Sequence, residues 1–324
     1  MKKIRYLIKR ILIVLKRDFN DSLWTNLVFL KRKLFSRFHI MLIEPINVCN
    51  IKCPLCPTPP WKNGRVKQIM KGEDFQKIIN NIDLNIPRIY LTLGGEPLMN
   101  NELFEFVRIA KKHHYKISLS TNGVLFADEN IRKNIIESKI DQVIISFDGF
   151  SKETYESVRE GADFESVFSG INLLLDEKER AKDKKYYEVQ YIQTSMNENE
   201  TLAAKAHFES KGAHFHTKSL SLVEYSLSPE ELEQYSKWLP SKKESKNRYR
   251  DVKKKQCSLP VDSLTIFVDG EVGVCCVDYQ EKNKYGTLLE RSLSSVLNSE
   301  KYRKDYELAI KRDLGICQNC NVGY

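Results

Sequence analysis

The chain has 324 residues, 41% apolar and 29% charged, the composition of a globular protein with a sizeable core. Its formal charge of +9 lies wholly in residues 1–38, where eleven Lys/Arg stand against two Asp/Glu. The remainder is formally neutral, which argues against a nucleic-acid channel through the main domain. Eight cysteines without a convincing secretion signal point to the cytoplasm, where clustered cysteines are metal ligands or catalytic thiols more often than disulfides.

The N-terminal arm, residues 1–38, reads as basic amphipathic helix. Ile4, Leu7, Ile8, Ile11, Leu12 and Leu15 form an apolar stripe, with Lys2, Arg5, Lys9, Arg10, Lys16 and Arg17 largely off it. A second segment sets Trp24, Leu27, Val28, Leu34, Phe35 and Phe38 beside Lys31, Arg32, Lys33 and Arg37. The uninterrupted apolar run "ILIVL" is too short for a signal peptide or a membrane span. Two readings stand: an extension packed on the main domain, or a peripheral anchor on the anionic inner membrane face.

From residue 39 short strands alternate with helices. The strands are expected at 39–46, 88–93, 116–120, 142–146, 187–194 and 214–220. The helices are expected at 72–82, 101–113, 128–138, 151–159, 164–180 and 199–211. Six such units predict a parallel sheet whose chemistry sits on the loops after the strand carboxyl ends. The alternation stops near 221. A helix over 228–239, with Ser228 as N-cap and Pro229 at its first position, and a basic linker or solvated helix over 240–256 lead to a cysteine-bearing unit, 257–324.

The loop after the first strand holds Cys49-x3-Cys53-x2-Cys56. A disulfide uses two thiols, and a closed zinc or iron–sulfur site usually takes four. On spacing alone zinc remains open. Three thiolates on a cubane cluster would cap three irons and leave the fourth to an amine and a carboxylate.

Together with Gly94-Gly95-Glu96-Pro97 after the second strand, this resembles the radical S-adenosylmethionine superfamily over residues 39–221. The resemblance implies a partial (β/α)6 barrel of the TIM type and a [4Fe-4S] cluster whose open iron chelates S-adenosylmethionine. It implies reductive cleavage of that cofactor to a 5′-deoxyadenosyl radical, which takes hydrogen from a substrate. The Gly-Gly-Glu-Pro loop would bind the cofactor's amino group, with Glu96 as an anionic acceptor and the glycines giving backbone access. Asn122 would lie on a third cofactor-facing loop. Ser146 and Arg159 would stand against the cofactor's ribose and carboxylate. Such enzymes need a reducing donor such as flavodoxin or ferredoxin.

The last unit, Cys257-x12-Gly270-x4-Cys275 followed by Cys317-x2-Cys320, resembles the twitch form of the SPASM module. The implied site is a second, fully thiolate-capped [4Fe-4S] auxiliary cluster. A structural zinc site of the same four thiols is the alternative reading. A β-hairpin ("SLTIFV", "DG", "EVGVCC") and a helix over 292–309 would bring the pairs together. Cys276 would be a buried thiol or an alternative ligand. Asp278 is a candidate base, or else a turn carboxylate.

A capped cluster near the substrate suits electron acceptance, hence net oxidation of a carbohydrate or other small metabolite. A ribosomal peptide, oxidised, cross-linked or epimerised, is the alternative substrate. A non-catalytic membrane-docking scaffold stabilised by iron–sulfur or zinc is the reading from another class. The six histidines show no metal-ligand spacing.

Overall fold

A computed structural model describes residues 38–56, 64–220, 237–239, 256–317 and 320. One nine-stranded sheet organises them. Its first six strands are β1 (Ile40–Ile43), β2 (Arg88–Leu91), β3 (Lys116–Thr121), β4 (Gln142–Ser146), β5 (Tyr186–Gln193) and β6 (His214–Ser219). They pair in sequence order and in parallel, as a partial (β/α)6 barrel requires. The helices between them are α1 (Gly72–Asn80), α2 (Leu103–Lys112), α3 (Glu129–Glu137), α4 (Lys152–Val158), α5 (Phe164–Arg180) and α6 (Thr201–Ser210). Side-chain caps at Asp128, Ser151 and Asp163 fix three of their starts.

The strands alternate rather than run continuously apolar, because their two faces meet different media. Met41, Ile43, Ile89, Leu91, Leu119, Val143, Val189 and Tyr191 are buried on one face. The opposite face is polar and bonds to itself. Arg88 Nη1 donates to Ser118 Oγ at 3.0 Å and Gln142 Oε1 at 3.2 Å. Gln142 Nε2 and Gln190 Nε2 donate to Glu188 at 3.3 and 2.8 Å.

The C-terminal unit does not stand apart from this sheet. After α7 (Leu259–Asp262), β7 (Ser263–Ile266) pairs in parallel with β1, Ile40 opposite Ser263 through Ile43 opposite Ile266. The expected hairpin then forms: β8 (Glu271–Gly273) runs antiparallel to β7, and β9 (Lys284–Thr287) to β8. Gly270, at φ +78°, makes the turn. The helix expected over 292–309 is two helices, α8 (Leu293–Leu297) and α9 (Glu300–Lys311). Ser299 separates them, its hydroxyl accepting from Tyr302 N–H as the cap of α9. Asn81, at the end of α1, ties this unit down further: its Nδ2 donates to Leu288 O and its carbonyl accepts from Leu293 N–H, both at 2.8 Å.

The arm expected over 1–38, apart from a buried Phe38, lies outside the described residues, as do 228–236 of the expected helix and 240–255 of the linker. Among the described residues no helix is long and apolar enough to cross a membrane.

The base of the cysteine loop is set by Asn100. Its Nδ2 donates to Pro45 O and Met70 O, both at 2.9 Å, and its Oδ1 accepts from Glu102 N–H at 2.9 Å. Asn100→Leu removes all three bonds and leaves the Met70 carbonyl without its side-chain donor, while Pro45 O keeps Met70 N–H. It should lower the unfolding free energy by about 2–4 kcal/mol, read from the denaturant midpoint.

Candidate cluster and cofactor site

The loop from Glu44 to Cys56 crosses the carboxyl end of the sheet and is pinned by backbone bonds on both sides. Glu96 N–H donates to Val48 O at 2.8 Å, and Lys52 N–H to Glu160 O at 2.8 Å. Asn47 bonds Val66 O and Gln68 N–H, while Leu55 packs with Val158 and Leu220. Cys49, Cys53 and Cys56 thus share one fixed loop, all partly exposed. Burial pushes the Cys49 thiol up to about 11, and the Glu96, Cys53 and Cys56 charges add to the shift. Burial also raises Cys53, against the pull of Arg159. Thiolates so placed need positive charge beside them, which iron supplies; the donor set fits a cluster.

The two glycines serve packing against the chain itself. A Cβ on Gly94 would stand 2.4 Å from Glu44 Oε1. A Cβ on Gly95 would stand 2.4 Å from Val48 O and 2.6 Å from Ile46 O. Gly95 also adopts φ +67°. Pro97 opens a single 3₁₀ turn, Pro97–Met99. Glu96, expected to face the cofactor's ammonium, is fully buried and bonded within the protein. It accepts from Leu98 N–H at 3.1 Å, Thr121 Oγ1 at 2.7 Å and Asn122 N–H at 2.7 Å. It therefore braces the third loop against the second. Asn122 in turn reaches the first, its Nδ2 donating to Asn50 Oδ1 at 2.8 Å and lying 3.7 Å from Cys49 Sγ.

Arg159 follows α4 and returns to the same loop. Its guanidinium pairs with Asp148 and lies 3.8 Å from Cys53 Sγ through Nη1. Asp148 is held in turn by Ile192 N–H at 2.6 Å. The Arg159 Nε–H is buried with no partner among the described residues, a donor available to a cofactor carboxylate. Ser146 ends β4, level with Gln190 on β5.

The four auxiliary thiols also converge. Cys257, Cys275 and Cys320 are buried, and Cys317 partly so. Cys257 is pushed up to about 11 by burial and by Cys275 and Cys320. Cys317 is pushed up to about 12 by burial and by Cys275, Cys257 and Cys320. Cys276 joins this set: its hydrogen bond with Cys275 lowers its own thiol and raises its neighbour's. Among the described residues no group of three or more His, Cys, Asp or Glu is placed to hold a single metal ion.

Asp278, read as a candidate base or else a turn carboxylate, lies within its own turn. It is fully buried and accepts from Lys282 N–H at 3.1 Å and from Asn283 N–H and Nδ2 at 2.8 and 3.0 Å. With both oxygens engaged by its own turn, it shapes the loop after Cys275. Glu44 and Arg65 are two residues at the site that escaped the sequence reading. Glu44 had one signal, a carboxylate ending the apolar run "HIMLIE".

Comparison with known proteins agrees with this geometry. The model of the Radical SAM superfamily matches residues 43–182, and that of an iron–sulfur cluster-binding domain, SPASM, matches 257–321. A probable GTP 3′,8-cyclase of Methanococcus maripaludis is 31% identical over 133 residues, 40% of this chain and 42% of that protein. A 7,8-dihydro-6-hydroxymethylpterin dimethyltransferase of Methanocaldococcus jannaschii is 29% identical over 116 residues, 35% of this chain and 23% of that protein. The chain thus matches less than half the length of these relatives. Among solved structures, BtrN with AdoMet and 2-DOIA has a TM-score of 0.56 at 19% identity, covering 88% of this chain and 93% of that one. Streptococcus suis SuiB bound to precursor peptide SuiA scores 0.64 at 14% identity, covering 93% and 75%. These two show a shared fold.

Gly95→Ala should force Val48 and Cys49 out of place. Reconstituted iron is expected to fall from about eight to about four atoms per chain, the auxiliary cluster remaining. Colorimetric iron assay checks it; unchanged iron contradicts it.

Proposed function

This chain belongs to the radical S-adenosylmethionine superfamily, and from that premise we propose that it oxidises a carbohydrate or other small polar metabolite by two electrons. When bound, the first cluster and S-adenosylmethionine supply hydrogen abstraction, and the auxiliary cluster supplies an electron acceptor. Cys49, Cys53 and Cys56 hold three irons of the first cluster. The Gly94–Pro97 loop, Asn122, Ser146 and Arg159 border the cofactor. Cys257, Cys275, Cys317 and Cys320 hold the second cluster.

The observation that carries the oxidation is the gathering of four thiols in the C-terminal unit. Four thiolates cap all four irons and leave no site for direct ligation of substrate. Such a cluster is suited to take the electron left after a hydrogen atom is removed. An alcohol carbon that loses one hydrogen atom, one electron and one proton ends as a carbonyl. A reducing donor such as flavodoxin or ferredoxin would reduce the first cluster. The arm at 1–38 is a proposed contact with a membrane surface or with the main domain.

A second reading, maturation of a ribosomal peptide, is supported by the fold shared with SuiB and its precursor peptide.

Anaerobic reconstitution with dithionite and S-adenosylmethionine should yield 5′-deoxyadenosine, together with an oxidised product when a library of sugars and polyols is supplied. Cys257→Ala should keep about four irons and cofactor cleavage while losing the oxidised product. Oxidised product at the wild-type rate from Cys257→Ala would overturn the electron-acceptor role. Turnover of a peptide library alone would favour the second reading.

A further inference from the structure

One buried chain of charges crosses from the cofactor loop to the auxiliary-cluster unit. Glu44, fully buried at the end of β1, accepts from Gly94 N–H at 3.0 Å with Oε1 and from Val268 N–H at 3.1 Å with Oε2. The first donor belongs to the Gly-Gly-Glu-Pro loop, the second to the segment after β7. Arg65 grips the same carboxylate with two nitrogens, Nη1 to Oε1 at 2.9 Å and Nη2 to Oε2 at 2.5 Å. The same Nη2 of Arg65 also pairs with Glu281, in the turn that Asp278 organises after Cys275. Lys284 then bonds both Glu281 and Asp269 at 2.6 Å. Phe267 lies between the two cations, 5.7 Å from the Arg65 guanidinium and 6.0 Å from Lys284 Nζ.

Two points along this chain have backbone that L-residues seldom adopt. Leu93, just before Gly94, has φ 149°, and Glu281 has φ 53°. Such conformations persist only where surrounding contacts over-determine them, and they cluster at functional sites. Arg65 is 7% exposed, so its two carboxylate partners are held in a low-dielectric setting where removing either charge is felt at the other.

We infer that Arg65 is a positioning residue, through which the auxiliary-cluster unit sets the placement of the cofactor-binding loop. A change at Glu281 is transmitted through Arg65 and Glu44 to Gly94, and so to the affinity for S-adenosylmethionine. The inference rests on the cofactor-binding assignment above.

The test is a double-mutant cycle on the reconstituted holoenzyme. Glu281→Gln keeps size and removes the charge. Arg65→Met breaks the chain in the middle. S-adenosylmethionine affinity is read from the change in the EPR signal of the reduced first cluster, with iron content measured in parallel. Glu281→Gln alone should weaken binding on the order of 5–10-fold, and the same substitution in an Arg65→Met background should add almost nothing. A purely local role for Glu281 predicts unchanged affinity, and an indirect one predicts equal effects in both backgrounds; either result overturns the inference. If Glu281→Gln loses the auxiliary iron, Lys284→Gln, further out on the same chain, must show the loss of affinity with iron intact. No loss there also overturns it. Failure of the wild-type protein to bind S-adenosylmethionine would instead overturn the cofactor assignment.

Discussion

A single buried carboxylate, Glu44, receives hydrogen bonds from the backbone of two segments that are distant in sequence, at Gly94 and Val268. Burying an ionised carboxylate costs several kcal/mol unless charge and hydrogen bonds offset it. Here two N–H groups and a two-pronged Arg65 do so, while burial still raises the carboxyl's pKa. Everything that touches Glu44 is therefore fixed in relation to β1. The cysteine loop, which leaves β1 at this residue, inherits that fixed point.

The parallel pairing of β7 with β1 has the same consequence on a larger scale. It joins the unit that carries the auxiliary cysteines to the barrel's own sheet. Four strand positions in register, the Asn81 bonds to Leu288 and Leu293, and the Glu44–Arg65–Glu281 chain all act across one boundary. Transfer of an electron from a substrate to a second cluster depends on distances that do not drift. A rigid shared sheet is a direct way to hold them.

The six barrel strands were legible because each carries a local apolar pattern, bounded by residues that turn the chain or cap a helix. The thiol spacings were legible because ligands on one loop must be close in sequence. What stayed hidden was non-local. No periodicity announces that Ser263–Ile266 pairs with a strand over 200 residues earlier, nor that Glu44 meets Val268. Gly94 and Gly95 were read as giving a ligand access to the backbone; in the structure a carboxylate oxygen and the backbone of 46–48 fill that space. For Asp278 the sequence left base and turn carboxylate both open; in the fold Lys282 and Asn283 engage it. Sequence shows which residue types are present, and only the fold shows which polar groups are already partnered.

The proposed function requires two clusters with different coordination, one with an iron open to the cofactor and one closed. EPR spectroscopy of the reduced holoenzyme, recorded with and without S-adenosylmethionine, addresses this directly. Two overlapping [4Fe-4S] signals are expected, only one of which changes on adding the cofactor, and Cys49→Ala should abolish the responsive signal alone. A single signal, or two signals that both ignore the cofactor, would contradict it.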